Sequence, residues 1–495
     1  MGCGEYPPAM LTLDYANCLS ERVGRHGLDA ALLGSTGDLA RRAGEITEDL
    51  ARTRGTGWER WRELPFGAFR EGHVREVKRI AAERRGRFEN LVVLGIGGSA
   101  LGNIALQAAL NPATYNLLPA ETRAGGRPGP RIFVLDNVDP AYFEAVMRVC
   151  DPSKTLFNVV SKSGETAETA AQFMIVRDLL NRHVGRGHAD HVVAVTDPEK
   201  GTMRKICDEA GYATLPVPEG VGGRFSVLSP VGLFSAEMCG IDIDALLDGA
   251  AAMDERCSRA ELGRNPAATL ATLLVEMGLG RGVAEKKPNH VLMPYSNGLY
   301  LLADWFRQLW AESLGKEKNL AGETVHAGFT PIKALGATDQ HSQVQLYREG
   351  PNDKVFGLVE VEAFDGEGAG DPLAPVVKIP EGLGVEAIAY LEGKTMGQLL
   401  NAEKRATEYA LVESGRPNFT IRLPRVDAHH VGEFIQLFEV VTAYAGRMLG
   451  IDAYDQPAVE TGKKATFGLM GRAGYEEWRT KVGRTLAETG YVIGD

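Results

Sequence analysis

Several stretches of the sequence have residue types and spacings suited to chemistry on a phosphate-bearing small molecule. The run Leu91-Val92-Val93-Leu94-Gly95-Ile96-Gly97-Gly98-Ser99-Ala100-Leu101-Gly102 sets apolar residues ahead of clustered glycines, a hydroxyl and a helical segment. Glycines let a backbone approach a ligand closely, and the free N–H groups and dipole of a helix start favour an anion. The backbone N–H groups of this turn are candidate donors; a tight turn that serves packing alone is the alternative. A second turn, Ser161-Lys162-Ser163-Gly164-Glu165-Thr166, places hydroxyls and an ammonium at the start of another helix. That is donor chemistry for a dianion, although an ordinary Ser/Thr helix cap would look similar. Gln308 and Glu312 are four residues apart on one helical face, with Lys316 a turn further on. Trp305, Phe306, Leu309 and Trp310 surround them. A carboxyl in such a setting is suited to act as a base near neutrality; an exposed Glu312–Lys316 pair is the plainer reading. His341 lies in the polar run Thr338-Asp339-Gln340-His341-Ser342-Gln343, and Arg224 in Gly222-Gly223-Arg224-Phe225-Ser226, where it could meet an anion.

Other chemistries find less support. Gly95-Ile96-Gly97-Gly98-Ser99-Ala100 satisfies a dinucleotide fingerprint, but that site also wants an acid about 20 residues on, at the end of the next strand. The next strand ends only at Asp136. Gly393-Lys394-Thr395 ends like a P-loop, yet Ile388 stands where its first glycine belongs, which disfavours a kinase or ATPase. The 10 histidines show no H-x-H or H-E-x-x-H spacing, and His429-His430 cannot share a helical face, so no metal site is expected. No G-x-S-x-G elbow occurs.

The elements that must position these groups follow an α/β rhythm. Strands are expected at 91–94, 131–135, 155–160 and 191–195, with helices at 100–110, 140–148 and 169–183 between them. Such alternation implies a parallel sheet covered on both faces. A strand at 290–294 leads through Tyr295-Ser296-Asn297-Gly298 into a long helix to Leu314, which repeats the first strand–turn–helix unit and starts a second lobe. Further strands are expected at 355–361 and 419–423, helices at 231–252, 381–390, 396–412 and 431–448, and a solvent-exposed loop at 365–371. The expected organisation is an N-terminal helical arm (1–65), a first α/β lobe (66–255), a second (256–450) and a C-terminal tail (451–495).

With 495 residues, 44% hydrophobic and 24% charged, the chain is long enough for a sizeable core. Its net charge of −11 argues against nucleic acid as a partner. The 6 cysteines are irregularly spaced, which fits a reducing cytoplasm better than a disulfide scaffold. No run of about 18 apolar residues is present, so no membrane span is expected. The first 20 residues lack the basic-then-apolar pattern of a signal peptide.

Taken together, LGIGGSALG (94–102), SKSGETAET (161–169), GGRFSVLSPVGL (222–233), YSNGLYLLADWFRQLWAESLGK (295–316), GATDQHSQVQ (336–345) and DQPAVETGKK (455–464) resemble the phosphoglucose isomerase family, in its order along most of the chain. The resemblance implies two sugar-isomerase (SIS) α/β lobes, with a helical arm and a C-terminal helical tail. It implies reversible interconversion of glucose 6-phosphate and fructose 6-phosphate through ring opening and a cis-enediol, without cofactor or metal. By that likeness Gly98, Ser99 and the turn Ser161, Lys162, Ser163, Gly164, Glu165 and Thr166 bind the sugar phosphate. Gln308 contacts substrate, and Gln456 lies close to the phosphate. Glu312 is the base that moves a proton between C1 and C2. His341 and Lys463 open the ring and handle the O5 and O1 protons, and Arg224 stabilises the enediolate. A homodimer is implied, with the histidine supplied across the interface. Glu165 departs from the pattern, because related proteins usually carry a threonine there and a carboxylate would repel a phosphate. Either its side chain points away or affinity suffers. A dual phosphoglucose/phosphomannose isomerase and a non-catalytic SIS sugar-phosphate sensor are the alternatives.

Overall fold

The computed structural model describes residues 10–364, 377–487, 491 and 493; the loop expected at 365–371 lies outside the described residues. Its strands in chain order are β1 (Thr12–Asp14), β2 (Asn90–Leu94), β3 (Arg131–Leu135), β4 (Thr155–Val160), β5 (Val192–Thr196), β6 (Ala213–Pro216), β7 (Asn289–Pro294), β8 (Lys316–Lys318), β9 (Thr324–Ala327), β10 (Thr330–Lys333), β11 (Lys354–Val361) and β12 (Asn418–Leu423). One sheet runs β3-β2-β4-β5-β6, parallel throughout. The other runs β1-β12-β11-β7-β10, parallel except for β1. β8 and β9 form a separate antiparallel pair. The protein is thus a pair of parallel-sheet α/β lobes.

The mainly apolar runs of β2, β4 and β5 are explained by burial on both faces. With a side-chain period of two, Leu91, Val93, Leu156, Val193 and Val195 face the central core, while Val92, Leu94, Phe157, Val159 and Ala194 face an outer layer. β11 divides its residues similarly, Val355, Val359 and Val361 toward the centre and Phe356 and Leu358 outward. The central core therefore lies between the sheets. The 22-residue helix Ala428–Leu449 is buried along nearly its whole length there and packs Phe438 on Phe306 at 4.7 Å.

Two local expectations need correction. Residues 1–65 are not only a helical arm. Leu13 pairs with Ile421, so β1 covers the edge of the second sheet, with Arg422 bonded to Asp14 at 2.9 Å. Leu11, Leu28, Trp61 and Leu64 enter the core, and Arg62 holds buried Asp254. A three-residue strand is too short for periodicity to signal. The helix expected at 381–390 reduces to the 3-10 segment Glu386–Leu391, because Gly382 and Gly384 adopt left-handed φ values of 77° and 69° that end any helix.

Candidate active site

The glycine turn leaves β2 and the Ser161 turn leaves β4; these strands are neighbours with Leu94 opposite Val159. Both turns thus open at the same edge of the first sheet, beyond the carboxyl ends of parallel strands, where ligands of such sheets bind. Gly97–Ser99 forms a single 3-10 turn before the helix Leu101–Leu110. Gly98 packs against the backbone of Gly223 so closely that a Cβ would sit 2.3 Å from its carbonyl. A Cβ on Gly97 would lie 3.0 Å from Gln308 Nε2. The sequence needs glycine here because the turn is pressed between the Arg224 loop and the helix of the second lobe. Asn103 donates to the Ser99 carbonyl at 3.0 Å and fixes the turn's exit.

Gln308 and Glu312 lie on the helix Tyr300–Leu314, which runs from β7. Gln308 Nε2 donates to Glu312 Oε2 at 3.0 Å, and Arg224 Nε lies 3.7 Å from the same oxygen. The polar amide and guanidinium, rather than the nearby tryptophans, are the immediate neighbours of this carboxylate. The exposed Glu312–Lys316 pair does not form. Lys316 is buried and donates instead to the backbone carbonyls of Glu312 at 2.9 Å and Asp455 at 2.8 Å. Burial, and then the Arg224 charge, hold the Lys316 ammonium below its ordinary pKa.

Arg224 joins three parts of the chain. Its guanidinium donates to Ser313 Oγ at 2.8 Å, to the carbonyls of Ala453, Tyr454 and Asp455 at 3.3, 2.9 and 3.1 Å, and to Gln456 Oε1 at 2.9 Å. The side chain is only 5% exposed. Burial lowers its pKa, opposed by Glu312, Asp455 and Asp452. Neutral acceptors hold the group in place without cancelling its charge, so Glu312 is its nearest counter-charge. This arrangement brings Gly98, Arg224, Gln308, Glu312 and Gln456 together.

In the second turn, Ser161 Oγ accepts from the Gly164 N–H and Ser163 Oγ from the Glu165 N–H, both at 3.1 Å. Gly164 has φ 77° and abuts Met203, where a Cβ would fall 2.3 Å from the backbone nitrogen. Thr166 starts the helix Ala167–His183 without bonding to it through its side chain, so its hydroxyl is not used as a cap. Lys162 Nζ sits 5.0 Å over the Trp58 ring. The Glu165 carboxylate accepts from Arg472 at 3.0 Å and Thr202 at 3.3 Å. The Arg472 bond is the main reason its pKa is depressed. The first of the alternatives for Glu165 therefore describes the structure: its side chain is engaged elsewhere.

His341 and Lys463 are not gathered with these groups. His341 ends the 3-10 segment Thr338–His341, is exposed, and its side chain makes no hydrogen bond or ion pair among the described residues. Lys463 lies on the exposed helix Val459–Leu469 and bonds to Glu460 at 2.8 Å. Ser313, the 453–455 carbonyls and Arg472 are groups that sequence reasoning misses. The position of Ser313 next to Glu312 is a usable signal, whereas carbonyl acceptors carry no side-chain signal.

A family model described as phosphoglucose isomerase matches residues 79–471. A glucose-6-phosphate isomerase of Carboxydothermus hydrogenoformans is 45% identical over 423 residues, covering 86% of this chain and 88% of its own. A glucose-6-phosphate isomerase of Rubrobacter xylanophilus is 41% identical, covering 94% and 99%. Among solved structures, a hypothetical protein from Thermus thermophilus is 37% identical and superposes with a TM-score of 0.79 over 93% of this chain and 100% of its own. A glucose-6-phosphate isomerase from Chlamydia trachomatis shares the fold at 22% identity and a TM-score of 0.74, with 95% of each chain covered. With the two-lobe fold and the Gly98–Arg224–Glu312 cluster, these likenesses lead to one conclusion: the chain belongs to the phosphoglucose isomerase family.

Proposed function

We propose that the protein catalyses the reversible isomerisation of D-glucose 6-phosphate and D-fructose 6-phosphate. The observation that carries this reading is the Glu312 carboxylate, 3.7 Å from the buried Arg224 guanidinium and beside the glycine turn. Family membership supports it, and each step has a candidate group. Ser161, Lys162, Ser163, Thr166, Gly98, Ser99 and Gln456 anchor the phosphate end, which fixes the sugar for reaction. His341 and Lys463 move protons at O1 and O5 as the C1–O5 bond breaks. Glu312 then takes the proton from C2, the C–H electrons form the C1–C2 double bond, and negative charge develops on O1. Protonation of Glu312 removes the nearest counter-charge of Arg224 just as the enediolate forms, so the cation stabilises the new oxyanion without rearrangement. Return of the proton to C1, with the C2 hydroxyl proton passing to O1, leaves a carbonyl at C2 and gives the ketose.

The exposed, unpartnered His341 supports a homodimer in which a second copy supplies this group. The five cysteines among the described residues are free and buried, which suits a reducing compartment, and we place the protein in the cytoplasm; no helix among the described residues is long and apolar enough to cross a membrane. A coupled assay for glucose 6-phosphate formed from fructose 6-phosphate, run with a chelator, tests the function. Activity that survives the chelator is expected. Binding without turnover would favour a sensor, and equal rates on mannose 6-phosphate would broaden the substrate class.

A further inference from the structure

The Glu165 carboxylate sits in the turn proposed to hold a phosphate dianion, where an uncompensated negative charge would oppose binding. Its partners lie in distant parts of the chain. Thr202 heads the helix Thr202–Ala210 of the same lobe, and Arg472 follows the helix Val459–Leu469 that carries Lys463. Arg472 is itself held from behind. Its guanidinium lies 4.5 Å over the Phe467 ring and 5.5 Å over Tyr475, and those rings meet edge to face at 5.2 Å. Its backbone N–H donates to the Phe467 carbonyl at 2.9 Å. The arginine is thus built into the junction between the helices Val459–Leu469 and Glu476–Thr485, with one end aimed at Glu165. Among the described residues, this ion pair is the only one, and its hydrogen bond the only one, joining residues 459–487 to the chain before 451.

We propose that Arg472 is a positioning residue for the isomerase, acting through Glu165. It offsets the carboxylate so that the phosphate turn keeps a favourable field, and it tethers the helix bearing Lys463 to that same turn. Substrate binding and the placement of Lys463 are thereby linked through one contact. Arginine suits the task because it stays charged at every working pH and stacks on aromatic rings while bonding in its plane.

The inference rests on the sugar-phosphate reading above, so its test has a readout separate from turnover. The parent protein, Arg472→Ala, Arg472→Lys and the double variant Glu165→Gln/Arg472→Ala are compared by calorimetric titration with inorganic phosphate and by kinetics on fructose 6-phosphate. Arg472→Ala should weaken phosphate binding and raise KM about threefold or more at low ionic strength. The difference should shrink as added salt shortens the screening length to about 3 Å at 1 M. The double variant should regain phosphate affinity because the exposed carboxylate is gone, but not kcat, because the tether is still missing. Arg472→Lys keeps the charge and should fall between. Unchanged phosphate affinity in Arg472→Ala, or no recovery in the double variant, would overturn the proposal. A parent that binds phosphate but does not isomerise would contradict the functional reading instead and leave the titration series to decide the role of Arg472.

Discussion

The lobes contain the same strand–turn–helix unit and use opposite ends of it. In the first, β2 passes through Gly97–Ser99 into the helix Leu101–Leu110, and the turn is the part proposed to bind. In the second, β7 passes through Tyr295-Ser296-Asn297-Gly298 into the helix Tyr300–Leu314, and the groups proposed to act stand near its far end, at Gln308 and Glu312. At the second turn Tyr295 is fully buried and its hydroxyl donates to Gln340 at 2.9 Å. Backbone N–H groups at a helix start hold an anion well but do no proton chemistry. A carboxylate does proton chemistry and must be kept off the phosphate. Dividing the proposed tasks between lobes, with Arg224 bridging them, keeps the proposed base and the phosphate anchor on separate elements.

The largest effect that would break this comparison lies on the catalytic side. Arg224→Ala should cut kcat by about 10²–10³-fold, the usual loss when one oxyanion-stabilising group is removed. It should also free the 453–455 carbonyls and the Gln456 side chain, read as faster amide exchange there, while Arg224→Lys should recover part of kcat only. Next is the anchoring side. Gly98→Ala forces a methyl group to within 2.3 Å of the Gly223 carbonyl, and relieving that displaces the turn. Overpacking of this kind costs about 1–3 kcal/mol, so a lower unfolding temperature and a KM raised about tenfold are expected. The same change at Gly298 meets its nearest atom, the Ala108 carbonyl, at 3.1 Å and should cost less than about 1 kcal/mol with KM unchanged. Equal penalties at both glycines would show that the turns are not used differently. The smallest effect is expected for Trp58→Ala. Removing the ring under Lys162 forfeits about 0.5–1 kcal/mol of cation–π attraction and should raise KM about twofold.

Much of this is legible in the amino-acid order because it is local. The buried strands β2, β4 and β5 announce themselves as mainly apolar runs, the helix Ala428–Leu449 as a long apolar segment, and the hydroxyl-rich turn as a cluster within six residues. The part that is not legible depends on long-range placement. β1 is set by the open edge of β12, which no short segment foretells. Lys316 follows Glu312 at a spacing that suggests an exposed pair, yet the fold of the tail over it supplies the Asp455 carbonyl and buries it. Glu165 looks out of place beside a phosphate turn when its partner, 307 positions away, is not in view. His341 and Lys463 stand out by motif, and among the described residues no hydrogen bond or ion pair joins them to the Glu312 cluster.

The central claim is that Glu312 carries a proton between C2 and C1 of a sugar phosphate that the first lobe holds. Running the reaction in D2O and following deuterium at C2 of glucose 6-phosphate by NMR, with the parent protein and Glu312→Gln side by side, tests it most directly. Deuterium entry with the parent, and exchange and turnover both lowered by about 10²–10⁴-fold in Glu312→Gln while phosphate binding is retained, is the expected result. Exchange and turnover undiminished in Glu312→Gln would contradict it.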